Sequence, residues 1–448
     1  MAPNNGIVWF ISRFKDISDF LKTRFSKQNT GEVLWFFGGQ VLVFIASILV
    51  VKLLTGMGKT AYGEYSLILT NIAFWSLFIY NPVNQGFNRF YFDYNNPDSL
   101  PLYIHLIRKF LTQISLILFA LSVIAGVAGT VLFDERIGSL IFLAGILTVF
   151  FKISEFSTSL LNIIRKRKFN SIVSSVERYS LIIFIIGLIY TDLLSLENVL
   201  LCYIGISILF GLVKFGKFNF SHDLKGNIDN SLKPEITQNL KLYILPFIAW
   251  GISGWLQLNG EKWVIANYLS AAEVGVYAVM LNIINAMISF PTYFITDFFT
   301  PHIFSNFASK TDKEKINAGY NYIKINLLIV VCLILTATIM NLVFGELFIK
   351  LISSDSYTDN ASLLPILTVG TGFFYIGHVL TNVGLALGRT KEYVIPKVGA
   401  GLLSLTLNII FIRIWGIAGV ALALCFSGVI YVTYLYFVNR RLIREFGR

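Results

Sequence analysis

In a chain this apolar, the residues able to do chemistry are the few polar ones set inside long hydrophobic runs. FFKISEFS carries Lys152 and Glu155. Their spacing of three puts them on one helix face, where they can pair. WLQLNGEKW carries Gln257, Asn259, Glu261 and Lys262, and another run ends in Asn84, Gln85, Asn88 and Arg89. An ionisable group within a bilayer costs at least about 2.5–3.5 kcal/mol, so each needs a partner or a role. Fixed cations suit an anionic group, and phosphate or pyrophosphate is the obvious one in a membrane. Lysine offers a point charge and arginine a bidentate fork. The amides Asn84, Gln85, Gln257 and Asn259, with the aromatic side chains, suit sugar hydroxyls and apolar sugar faces.

Several of these charges also have a plainer reading. Arg89 and Asp297 fit the membrane interface, Lys52 and Arg413 fit snorkelling at span ends, and Glu177 and Arg178, within two turns of the start of a span, fit a structural role. Lys152 and Lys262 are the hardest to explain in that way. They face either a cavity or their own neighbours Glu155 and Glu261, and those two acids are the candidates for coupling to protons or sodium.

Other chemistries find little support. The three cysteines, Cys202, Cys332 and Cys425, each lie in an apolar run without a CxxC, and the four histidines share no metal-ligand spacing. The sequence contains no Ser-His-Asp arrangement, HExxH motif or paired aspartates on a polar loop, so no catalytic residue, cofactor or metal site is expected.

The elements that must position these residues are membrane spans. Of 448 residues 55% are hydrophobic and 14% charged, with mean hydropathy +0.70. A soluble chain carries about 25% charged residues, so an all-α polytopic membrane protein is expected. Spans are predicted at about 33–55, 62–88, 105–132, 138–161, 170–191, 196–215, 240–268, 273–300, 317–345, 361–387, 392–414 and 416–438. The net charge of +11 falls between the apolar runs rather than on one polar domain, which argues against nucleic acid. About 28 of the 36 Lys and Arg lie on the side of the amino terminus, against about 5 opposite. Both termini are therefore expected in the cytoplasm. Residues 1–32 lack the long apolar core of a signal peptide and read as a basic amphipathic segment on the membrane surface.

The polar stretch 217–239 divides the spans into two sets of six, 33–216 and 240–438, with 439–448 a basic tail. An even number of spans gives both halves the same orientation, related by an axis along the membrane normal. Two internal echoes agree: YGEYSLIL at Tyr62–Leu69 with VGVYAVML at Val274–Leu281, and Leu161–Phe169 with Leu385–Tyr393. The longest outer connection, Glu346–Asn360, is too short to fold a catalytic domain.

The opening KLLTGMGKTAYGEYSL, the pair Glu261-Lys262 followed by Gly275-Val-Tyr277, and LNIIFIRIWGIAGVALAL with Asn408, Gly416, Gly419 and Ala421 resemble one family over nearly the whole chain. It is the Wzx-like polysaccharide-transport (oligosaccharide flippase) family of the multidrug/oligosaccharidyl-lipid/polysaccharide exporter superfamily. The resemblance implies two six-helix lobes around a central cavity, rocking between inward-open and outward-open states in the cell inner membrane. It implies a polyprenyl-pyrophosphate-linked oligosaccharide as substrate for surface polysaccharide (O-antigen, capsule or exopolysaccharide). Arg89, Lys152 and Lys262 would be the head-group cations, and membrane lipids and other polysaccharide-assembly membrane proteins the partners. Twelve spans favour such units over peptidoglycan precursors, whose flippases usually carry two more. The alternative is an ion-coupled multidrug or cation exporter of the same superfamily.

Overall fold

The computed structural model describes residues 27–94, 96, 99–220, 232–307 and 313–446. Residues 1–26 of the amphipathic segment and 221–231 of the polar connection lie outside these.

The first half is built from α1 (Lys27–Leu54), α2 (Lys59–Phe90), α3 (Leu100–Leu132), α4 (Glu135–Ile163), α5 (Arg167–Tyr190) and α6 (Leu196–Phe220). The second is built from α7 (Lys233–Tyr268), α8 (Ala271–Phe307), α9 (Lys313–Ile352) and α10 (Leu364–Ala386), with α11 and α12 as the two arms of Val394–Phe446. Those arms, residues 394–415 and 417–446, fold back on each other at Gly416, whose φ of 58° is the left-handed region that glycine enters without strain. Ten segments among the described residues are long and apolar enough to cross a membrane. The final segment counts once there although it passes twice. The polar α7 is not among the ten but is 36 residues long and packs between its neighbours. Each of the twelve expected spans falls on a helix among the described residues.

One face of the bundle, the turn face, carries the short connections at Gly58, Asp134, Asp192, Ser270, Asp355–Leu363 and Gly416. Local chemistry ends and starts the helices there. The Asp134 carboxylate accepts the Ile137 N–H at 2.7 Å, and the Ser270 hydroxyl accepts that of Glu273 at 3.2 Å. Each satisfies a donor that a helix start leaves orphaned. The opposite face, the terminal face, carries both ends of the described chain.

The first sequence echo marks where the halves cross. Gly63 on α2 and Gly275 on α8 lie so close that a Cβ on Gly63 would fall on the Ala271 carbonyl and one on Gly275 on the Lys59 carbonyl. The second echo marks two matching turns. Lys166 N–H bonds back to Leu161 O after Arg165 at φ 58°, and Arg389 N–H to Gly384 O after Gly388 at φ 71°. The structural match sets Arg165 opposite Gly388, one residue from the alignment the sequence suggests. Backbone geometry sets this register, and the basic side chains that suggested the other have slid past it.

A third correspondence appears only in the structure. Both α2 and α8 contain a π segment, Ser76–Tyr80 and Asn285–Ser289. Each lies just ahead of a proline, Pro82 or Pro291. Proline offers no N–H and crowds the carbonyl four residues back. Asn81 and Phe290 accordingly bond five residues back, to Ser76 O and Asn285 O.

Candidate functional site

Between the halves, nearer the turn face, lies a cavity of about 500 Å³. From the first half α1 contributes Ser47 and Val51, α2 contributes Tyr62, Tyr65 and Ser66, α5 contributes Arg178 and α6 contributes Tyr203. From the second half α7 contributes Lys262, and α8 contributes Asn282, Asn285 and Ser289. Among the described residues no carboxylate lines it.

The two cations are held differently. Arg178 donates to the Tyr203 hydroxyl, and its guanidinium carbon lies 5.8 Å from the centroids of both the Phe151 and Tyr203 rings. That stacking fixes the plane of the guanidinium. Lys262 enters from the opposite wall. Among the described residues neither has a carboxylate within ion-pair distance. Asn282 adds an amide that donates to the Tyr62 hydroxyl at 2.9 Å. The chamber thus offers two fixed positive charges, hydroxyls and amides, an arrangement suited to an anion with polar attachments.

The cavity is closed toward the turn face. Lys59 pairs with Asp359 at 2.7 Å, and the Tyr357 hydroxyl donates to Thr55 O at 3.2 Å. Lys52 reaches across to the Lys350 carbonyl at 2.9 Å and to that of Ser353, so it bridges the halves instead of snorkelling. On the terminal side, Phe44 of α1 stacks on Phe290 of α8 with ring centroids 5.3 Å apart.

Of the side chains singled out from sequence, Lys262 lies in this cavity and the others do not line it. Lys152 is buried, pairs with Glu155 and lies 5.0 Å over the Phe151 ring. Glu155 is largely exposed. Arg89 is exposed near the terminal face and pairs with Asp93 at 3.0 Å. Asn84 is half-buried and Gln85 exposed, both past the π segment of α2. Gln257 is buried and Asn259 half-buried on α7.

Glu261 points away from the cavity into the second half. It is buried beside Tyr277, and among the described residues its Oε2 has no hydrogen-bond partner. On the facing arm α11, Ser404 Oγ and Asn408 Oδ1 are also buried without partners, as is Gln257 Nε2. The register between α7 and α11 is set by Gly401 against the Ser253 carbonyl and Gly260 against Leu405, which brings these groups to neighbouring levels.

Arg178 escaped the sequence reading, which set it and Glu177 aside as structural because both lie near the start of a span. Successive residues on a helix point about 100° apart, so the two cannot serve one partner. Glu177 turns into the first half, where it accepts from Lys214 at 2.5 Å and from the Ser154 hydroxyl at 3.1 Å. Arg178 turns into the cavity. Adjacent opposite charges within a span were the available signal.

No protein-family model matches the sequence, and no curated protein matches it. Solved structures nevertheless match over nearly the whole chain. An inward-facing multidrug resistance MATE family transporter of the MOP superfamily is similar with TM-score 0.72 at 14% identity, over 91% of this chain and 95% of that one. The lipid II flippase MurJ in its inward closed conformation is similar with TM-score 0.65 at 17% identity, over 93% and 89%. A MOP superfamily transporter from Pyrococcus furiosus gives 0.60 at 14% identity, over 93% and 95%. The chain is a multi-pass membrane protein with the two-lobe fold of the MOP-superfamily transporters.

Proposed function

We propose that this protein is a flippase that carries polyprenyl-pyrophosphate-linked oligosaccharide units from the cytoplasmic to the outer leaflet for surface polysaccharide synthesis. The observation that carries this reading is the central cavity, with Arg178 and Lys262 on opposite walls and no lining acid. The barrier is the passage of a hydrated, charged head group through hydrocarbon, so the protein must supply a polar path with access from two sides. The pyrophosphate would sit between the two cations, with Tyr62, Asn282 and Asn285 toward the sugar, while the lipid tail stays in the bilayer. The six-helix halves, 33–216 and 240–438, would rock about their crossing, with both termini on the cytoplasmic side of the inner membrane. Lys152, Arg89 and Glu155 have no part in this assignment, because each is satisfied elsewhere.

The test is transfer of a labelled polyprenyl-pyrophosphate oligosaccharide across liposomes that hold the purified protein. Charge-assisted contacts to phosphate are worth about 1.5–3 kcal/mol, so Lys262→Ala and Arg178→Ala should each slow transfer about 10- to 100-fold. Unchanged transfer in both variants would discard the cavity as the head-group site.

One observation favours a second reading, an ion-coupled exporter. Glu261 is a buried carboxylate with an unpartnered oxygen among other unpartnered polar atoms, a setting suited to a proton or sodium ion. If liposomes show no lipid transfer but do show efflux of a cationic dye that Glu261→Gln abolishes, the exporter replaces the flippase. If lipid transfer itself needs Glu261, the same site couples the flippase to an ion.

A further inference from the structure

The second half holds a cation that the central cavity does not use. Lys397 lies in the first turn of α11, half-buried, with its ammonium 4.5 Å from the centroid of the Trp250 ring on α7. Among the described residues it has no carboxylate within ion-pair distance. The first turn of a helix favours negative charge and disfavours a lysine. An unpaired charge within a span needs a role for a further reason, the cost of its desolvation.

Rings from α8 and α10 complete its surroundings. His378 stands beside Lys397, and Tyr293 packs edge-on against His378 and Tyr375, with ring centroids 5.2 and 5.6 Å away. The Tyr375 hydroxyl meets those of Ser289 and Tyr293, and Ser289 also lines the central cavity. Along α8, Asn282, Asn285, Ser289 and Tyr293 follow one another at steps of about one turn. A row of polar groups thus leads from the central cavity to Lys397. Asp297, one turn beyond Tyr293, is exposed and outside ion-pair distance of Lys397.

We infer that this row receives an oligosaccharide containing an acidic sugar, whose carboxylate pairs with Lys397 while the pyrophosphate lies between Arg178 and Lys262. The inference rests on the flippase reading and adds to it the charge of the cargo. Spacing supports it. The Lys397 side chain runs along α7, its Cε 4.0 Å from where a Cβ on Gly254 would stand. From Gly254 to Lys262 the α7 axis rises about 12 Å at 1.5 Å per residue. One pyrophosphate cannot bridge cations so far apart, whereas a short run of sugar rings can. The amides and hydroxyls between them suit sugar hydroxyls, and Tyr293 is exposed to offer its ring to an apolar sugar face. Stacking on Trp250 holds the ammonium in place, and as a point charge it meets a carboxylate from any direction.

The experiment uses the full chain in liposomes with two labelled polyprenyl-pyrophosphate oligosaccharides of equal length. One is neutral throughout its sugars, and the other carries a uronic acid beyond its first sugar. Below saturation, wild type should transfer the acidic cargo about tenfold faster, the equivalent of one charge-assisted contact. Lys397→Gln should bring the ratio of the two rates close to one, and Lys397→Arg should keep most of the preference. Thermal unfolding establishes that each variant is folded, and if Lys397→Gln is not, the wild-type ratio decides alone. A wild-type ratio near one would overturn the inference and leave the flippase reading standing. A preference that survives Lys397→Gln would also overturn it, by placing the acidic group elsewhere. Rates that follow the phosphatidylglycerol content of the liposomes and not the charge of the sugar would assign Lys397 to a lipid phosphate instead. Transfer of neither cargo would remove the flippase reading and this inference with it.

Discussion

Lys214→Met is expected to destabilise the protein by about 3–5 kcal/mol, the largest effect on stability of any single substitution considered. Lys214 and Glu177 form an ion pair with side chains only 3% and 10% exposed, and Ser154 bonds to both. Removing the lysine leaves a carboxylate sealed among α4, α5 and α6 without a counter-charge. A buried pair of this kind contributes little net stability when intact, because desolvation offsets the attraction; the damage comes from breaking it. The double variant Lys214→Met with Glu177→Leu should therefore recover most of the loss. Unfolding in a denaturant series, read for wild type, both single variants and the double, checks this through the coupling energy. A single variant as stable as wild type would mean that water reaches the pair.

Gly63→Leu should have the largest effect on conformation. A side chain at that crossing must displace the Ala271 backbone, so α2 and α8 have to part at the turn face. Overpacking of this kind costs about 1–3 kcal/mol, and here the closed state alone bears it. The ion pair Lys59–Asp359 across the same seam cannot compensate. Its side chains are 29% and 69% exposed, and exposed pairs contribute about 0–1 kcal/mol. Spin labels at Gly56 and Ser356, on opposite sides of the seam, should move to longer distances in the variant, and transport should fall with closure. Unchanged distances would show that the crossing tolerates bulk and that closure is held elsewhere.

The fold could be read from sequence because its spans are long, apolar and separated by polar turns. The seventh was legible as a helix, although its polar residues keep it from standing among the ten apolar segments. The repeat YGEYSL/VGVYAV was legible as a repeat, but only the structure gives its cause: two glycines that must let backbones touch. The site was harder. Position along a span gives the depth of a charge but not the direction it faces. Lys262 and Lys152 looked equivalent by that measure. Their helices turn one into the cavity and the other toward an acid on its own face. Arg89 likewise meets an acid four residues on, a partner visible in sequence but given no weight. Arg178 was hidden because its place near the start of a span was reason enough to read it as structural.

The paired π segments of α2 and α8 bear on how such a molecule can move. An intact helix resists bending because its ladder of backbone hydrogen bonds must stretch or break on one side. In these two helices the ladder is already interrupted, ahead of Pro82 and of Pro291, about one helical turn apart in the register of the glycine repeat. Each behaves as a stiff rod with one compliant joint at mid-length. While the turn face stays closed, the glycine crossing holds the turn-side arms of both helices together. The terminal arms of α2 and α8 swing about the joints, and the elastic cost of motion is confined to ten residues, Ser76–Tyr80 and Asn285–Ser289.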